Sequence, residues 1–200
     1  MVEAARALLA LWNDVDPALD AAYNDWHANE HVPERLTVPG MLWGLRWGRA
    51  AGAAQGPRYL TLYGMRDAAV LDSEPYQRLL REPTPMSRRM RPALANLSRW
   101  VCDLEEFSPL DRGQQLAVWT LEAPPAEPNH DYRRSPLETP ARGHLLAHRL
   151  PQARALPWLD TGQGRAIEGD WLACVAFDAG AAQRLPRPAG ATLYARLPVA

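Results

Sequence analysis

The chain has 200 residues, 47% of them apolar and 22% charged, a composition that excludes disorder, collagen and coiled coil. A net charge of −1 leaves no electrostatic footprint for nucleic acid or for an anionic membrane surface. All 22 basic residues are Arg, which excludes Schiff-base catalysis and a Walker-type phosphate lysine.

A chain of this length suits one large domain or two fused small ones. Between Arg6 and Asn13 the first apolar run is too short for a leader or a membrane span, so a cytoplasmic protein is expected. Cys102 and Cys174 stand alone in alternating apolar segments and read as small core residues of a reducing compartment. The first strand is predicted over residues 5–14. Asp16 caps a helix with Pro17 in its first turn, where a missing N–H costs nothing, and this helix is predicted to run to about Glu34. Pro39-Gly40 then marks a turn. Residues 41–49 alternate Met41, Trp43, Leu45 and Trp47 against Leu42, Gly44, Arg46 and Gly48, which has the period of a strand. Residues 58–65 alternate likewise and put Tyr59, Thr61 and Tyr63 on one face. A helix over about 74–82 resumes after Pro83 and Pro85, and a strand over 98–107 closes the unit.

Much of this order returns in the second half. Leu9-Ala10-Leu11-Trp12 is echoed by Leu116-Ala117-Val118-Trp119, and the segment from Gly40 to Arg46 by that from Gly143 to Arg149. Four strands are predicted there, over 115–122, 143–150, 170–177 and 191–197. Pro124, Pro125, Pro128, Pro136 and Pro140 forbid the first helix, and the second shrinks to about 180–185. The expected fold class is α+β: two tandem ferredoxin-like units, residues 1–110 and an eroded 111–200, forming an α+β barrel with antiparallel sheets.

The stretch from Asn24 to Leu36 is the richest in chemistry. On an α-helix Leu19, Ala22, Tyr23 and Trp26 form the apolar face; Glu30 falls in its middle, with His27 and His31 on its flank at about 80° and 120°. A carboxylate there either pairs with an Arg such as Arg35 or Arg46, or works in a cleft as an acid or base of raised pKa. His27-Ala28-Asn29-Glu30-His31 also spells H-x-x-E-H, whose two histidines one helical turn apart can chelate zinc if a third ligand such as Glu105 or Glu106 comes near. His144 and His148 share one strand face about 13 Å apart, too far for one metal, and are expected at the rim. Eight Trp against two Phe is unusual; Trp12, Trp43, Trp47, Trp119 and Trp171 fall on strands, where they either pack or line a flat apolar ligand site.

Asn24-x-Trp26-x4-His31-x-Pro33-Glu34-Arg35-Leu36-x2-Pro39-Gly40, followed by Arg46, Tyr59-Leu60 and Tyr63, resembles the EthD-like branch of the dimeric α+β barrel proteins. Thr84-Pro85, Arg88-Arg89 and Arg99-Trp100 resemble later segments of that branch, so the likeness covers about residues 7–105. Here His27 stands where that branch more usually has an aromatic residue, and Met41 replaces a Phe. The resemblance implies paired ferredoxin-like units and a cleft between sheet and helix for a small, often aromatic molecule. Relatives include cofactor-free monooxygenases, lactone isomerases, haem-handling proteins and small-molecule binders. The expected function is thus a small-molecule-binding protein or cofactor-free enzyme with oxygenase- or isomerase-like proton transfer. His31 or His27 would act as base or acid, Glu30 would tune it, Arg46 would hold an anionic oxygen, and Trp26, Tyr59 and Tyr63 would line the site. No tightly bound cofactor and no metal are expected, and a homodimer is an expected assembly. The alternatives are a non-catalytic structural or binding barrel and, third, a zinc-dependent hydrolase.

Overall fold

The period-two segments close into a ring. The structure, a computed structural model, describes residues 4–51, 56–125, 141–151, 167–179 and 190–200. Its strands are β1 (Ala7–Val15), β2 (Met41–Arg49), β3 (Tyr59–Met65), β4 (Leu94–Ser108), β5 (Gln115–Leu121), β6 (Gly143–Arg149), β7 (Trp171–Phe177) and β8 (Thr192–Leu197). They form a closed barrel in the order β1-β3-β2-β8-β5-β7-β6-β4, with every neighbouring pair antiparallel. The first four strands therefore stand as β4-β1-β3-β2 and the last four as β8-β5-β7-β6, joined through β2–β8 and β4–β6.

The first predicted helix is broken into pieces. Asp16 caps a 3₁₀ turn, Pro17–Leu19, by accepting from the Ala18 amide at 2.8 Å. Helix α1 (Asp20–Trp26), a π turn (His27–His31) and α2 (Val32–Leu36) follow. The sequence expectation was one continuous α-helix. Pro33 explains the difference: in an α-helix its ring would strike the carbonyl four residues back, and widening the preceding turn relieves that clash. The amide of Val32 accordingly reaches back to the carbonyl of His27, five residues away. Between β3 and β4 run a 3₁₀ turn (Ala68–Asp72), α3 (Glu74–Arg81), α4 (Pro85–Met90) and a last 3₁₀ turn (Arg91–Ala93). Ser73 caps α3, accepting from the Tyr76 amide at 3.5 Å, and Thr84 caps α4, accepting from that of Ser87 at 3.0 Å. Among the described residues every helical turn lies in the first half, and no helix is long and apolar enough to cross a membrane. Pro124 and Pro125 follow β5 without regular structure, while residues 126–140, with the other three prolines, and the helix expected at about 180–185 lie outside the described residues.

The barrel interior is filled by side chains, including Leu8, Trp12, Trp47, Leu62, Trp100, Leu145 and Tyr194, each 2% exposed or less. Trp12 and Trp100 meet edge to face at 5.4 Å. Cys102 and Cys174 are free thiols in this interior, and burial pushes Cys102 up to about 12. A bulge between Met41 and Trp43 corrects the alternation expected for β2: Met41 joins the helix-facing cluster, whereas Trp43, Leu45 and Trp47 pack inward. Trp119 and Trp171 instead pack on the outer face of the second half, where His148 stacks on Trp171 at 4.6 Å.

Trp43 lies across from Gly64 and stacks on Phe107 at 5.3 Å. A Cβ built on Gly64 would fall inside that indole. Gly64→Ala is therefore expected to destabilise the barrel by about 1–3 kcal/mol in urea unfolding, through displacement of Trp43.

Candidate functional site

The outer face of β1, β3 and β4 carries a helical layer, and a cleft opens between the two. Tyr63, Met65, Leu9 and Val101 face outward against Val32, Val70, Tyr76 and Leu80 of that layer. The cleft is narrow, with a free volume of about 50 Å³, and is partly open to solvent.

Its polar wall comes from the π turn. A turn widened by one residue rotates the following side chains by about 100° relative to a continuous α-helix. His27 and His31 stack face to face at 5.1 Å, Tyr23 stacks on His27 at 5.0 Å, and Trp26 lies 4.5 Å from His31. Asn13 fixes the far end of this stack by accepting from the Tyr23 hydroxyl at 3.1 Å. Among the described residues, Nδ1 of His27, Nδ1 of His31 and the hydroxyl of Tyr63 meet no hydrogen-bond partner, although all three are buried and their residues line the cleft. Burial, then the nearby guanidinium groups (Arg46 and Arg35 for His27, Arg35 first for His31), hold both imidazoles well below the usual histidine value. Both are neutral at pH 7, so each ring offers one donor and one acceptor nitrogen. Burial pushes the Tyr63 phenol up, and it stays protonated.

Three arginines that sequence reasoning did not place here also line the cleft: Arg35, Arg91 and Arg99. Arg35 pairs with Glu34 at 3.3 Å and lies 5.7 Å over the Tyr76 ring. Arg91 donates to the carbonyls of Leu79 and Leu80 at 2.8 and 3.0 Å, at the end of α3, and burial lowers its pKa to about 10. In a chain whose basic residues are all Arg, the signals were slight: Arg35 lies inside the quoted helix motif, Arg99 in the quoted Arg99-Trp100 pair, and Arg91 in neither.

Glu30 faces away from the histidines. It accepts from the hydroxyls of Thr84 and Ser87, and Ser87 in turn accepts from Trp26 Nε1 at 3.2 Å. Neither Arg35 nor Arg46 pairs with it, because the π turn swings it toward the start of α4. Arg46 and Tyr59 line a second, more open cleft of about 370 Å³, together with Asp20 and Asn24 of α1. Arg46, 2% exposed, donates to Asn24 Oδ1 at 2.8 Å and to the carbonyl of Pro198 at 3.0 Å. Asn24 donates to Tyr59 at 2.8 Å, Tyr59 donates to Asp20, and Arg58 closes the chain on Asp20 at 3.1 Å. Thus Trp26, His27, His31 and Tyr63 come together in one cleft, Arg46 and Tyr59 in another, and Glu30 docks α4. Among the described residues no group of three His, Cys, Asp or Glu is placed to hold a metal, and Glu105 is exposed on β4.

No protein-family model matches the chain, and no curated protein matches it. Solved structures do. An anthrone oxidase-like protein superposes with a TM-score of 0.51 at 10% identity, covering 96% of this chain and 91% of that one. A chlorite dismutase-like protein gives 0.53 at 11% identity, covering 96% and 95%. Both are dimeric α+β barrel proteins. The chain shares their fold, an α+β barrel closed by eight antiparallel strands. In this barrel the histidine cleft lies outside the closed ring, under the helices of the first half, and the packed interior leaves the ring itself to stability.

Proposed function

We propose that this barrel is an EthD-like, cofactor-free enzyme or binding protein that takes a small aromatic molecule into the histidine cleft and moves a proton on it, as an oxygenase or isomerase does. One observation carries the reading: three buried polar atoms without protein partners, on His27, His31 and Tyr63, belong to residues lining a single cleft. Native proteins rarely leave such atoms unpaired. His31, less buried than His27, is the general base or acid; His27 stacks behind it, Tyr63 supplies a hydroxyl, and Trp26 forms a flat wall. Arg46 and Tyr59 hold α1 through Asn24, and Glu30 holds the π turn against α4, so they act as positioning residues. The oxidase-like and dismutase-like names of the fold neighbours support small-molecule chemistry. The shared order β4-β1-β3-β2 and β8-β5-β7-β6 supports reading residues 1–110 and 111–200 as copies of one unit. The fold neighbours support a homodimer, and two unpaired buried thiols fit a cytoplasmic protein.

A second reading, a non-catalytic barrel, is favoured by the networks around Glu30 and Arg46, which are closed within the protein. Native mass spectrometry of the purified protein separates the two. The expected result is a retained organic molecule that is lost in His31→Ala while the Tm stays level or rises. A Tm lowered by several degrees, with no bound molecule in either protein, gives the structural reading.

A further inference from the structure

A buried charge normally has an opposite charge beside it. Arg46 departs from that pattern. It is 2% exposed, yet among the described residues it donates only to the carbonyl and Oδ1 of Asn24 and to the carbonyl of Pro198. These bonds occupy three of its five N–H groups; among the described residues the other two, on Nε and Nη2, meet no acceptor. The guanidinium forms part of the wall of the second cleft, whose volume of about 370 Å³ falls within the usual range of small-molecule sites, roughly 300–1,000 Å³.

The rest of the lining does not supply the missing charge. Arg46, Arg49 and Arg58 share the cleft with one carboxylate, Asp20, which pairs with Arg58 at 3.1 Å and accepts from Tyr59. Arg49 donates to the carbonyl of Gly56. Asp14 accepts from the Arg58 amide at 2.6 Å and from Asn96 at 2.8 Å; it stands outside the lining, and counting it still sets three guanidinium groups against two carboxylates. We infer that a ligand brings the counter-charge: this cleft is a second binding site, for a small organic oxyanion, a carboxylate or phosphate on a short apolar body, whose oxygens take the open N–H groups of Arg46. Guanidinium groups suit oxyanions by shape and keep their charge at every working pH. Asn24 and Pro198 already hold this one in place, so an anion meets an oriented donor that water screens little. Leu197 and Pro198 give the apolar body a wall. The site shares no lining residue with the histidine cleft, and it stands independently of the function proposed there.

Leu197 of β8 lies directly across from Arg46 on β2, so an acid placed there brings the missing charge from within the chain. Butyrate and butyramide have nearly the same shape and differ by one charge; each, and propyl phosphate beside them, can be titrated calorimetrically into the full chain. Both anions are expected to bind, and butyramide about tenfold or more weakly than butyrate, for want of a charge-assisted contact. The tighter of the two anions names the group, carboxylate or phosphate. Leu197→Glu should abolish anion binding, whereas Leu197→Gln, alike in shape but neutral, should keep most of it. Arg49→Gln, at an exposed position, should weaken both anions severalfold and gives the same reading if the Leu197 variants do not fold. Equal binding of butyrate and butyramide overturns the oxyanion inference. Binding of neither anion, or anion binding retained in Leu197→Glu, overturns the site.

Discussion

Below about pH 6.5 this protein is expected to lose stability steeply with acid, because two histidines are buried as neutral rings. In the unfolded chain each imidazole titrates near 6.5, whereas in the fold both are held well below that value by burial and by neighbouring guanidinium groups. Above that pH both states carry neutral rings, and the pair adds no pH dependence. Below it the unfolded chain takes up two protons that the folded chain refuses. Stability then falls by up to about 2.7 kcal/mol per pH unit until the folded rings are themselves protonated. Urea unfolding at a series of pH values between about 7.5 and 5.5 measures this slope directly. The double variant His27→Gln, His31→Gln should flatten it, leaving only the carboxylate contribution at lower pH. A slope unchanged in that variant would mean that groups other than this stack govern acid unfolding.

Replacing Arg46 should produce the second large effect. Its guanidinium is buried among neutral acceptors, and among the described residues no carboxylate pairs with it. Arg46→Met removes a cation that is costly to bury, which alone would favour the fold. Against that gain stand two acceptors left without donors, Asn24 Oδ1 and the Pro198 carbonyl, and a chain of bonds running on through Tyr59 to Asp20. Orphaned buried acceptors cost about 1–3 kcal/mol each, so the losses win and the net destabilisation is roughly 3 kcal/mol. For a chain of this size that lowers the Tm by about 6–12 °C. Arg46→Lys keeps the charge but cannot span the same acceptors, and should fall between. Combined with Asn24→Ala, the loss should be less than additive by about 1 kcal/mol, since both changes break one network.

Much of the barrel was legible because its strands are short, apolar and alternating: β2 spans Met41–Arg49, as its alternation implied. Local departures were not legible. The bulge that sends Met41 outward and Trp43 inward leaves no mark in the residue pattern. The π turn had a visible cause in Pro33, but an angle computed for a straight helix put Glu30 on the core face, and one extra residue per turn carried it to Thr84. Asp20 and Asn24 lie one helical turn apart, but Arg46, Tyr59 and Pro198 are far from them in sequence, so the network that explains Arg46 is a property of the folded chain. Trp26, His27, His31 and Tyr63 are grouped by the resemblance of their motifs to a known family, not by helix phase or strand face, which would equally group Tyr59 with Tyr63. Arg91 and Arg99 gain meaning only in the fold, Arg99 when β4 is laid beside β1 and Arg91 when the turn before β4 packs on the end of α3.

The closed order of the ring also constrains how copies of this chain can meet. Each of the eight described strands already has a neighbour on both sides, so among the described residues no strand presents an unpaired row of backbone amides and carbonyls to a second molecule. That removes the usual template for strand-to-strand aggregation. It also means that a homodimer must form through helices, loops or the side-chain faces of the barrel. Severing the chain between β4 and β5 and drawing the halves apart would expose four such rows, on β2, β4, β6 and β8, each complementary to one on the other fragment. The two halves would be adhesive apart and inert together.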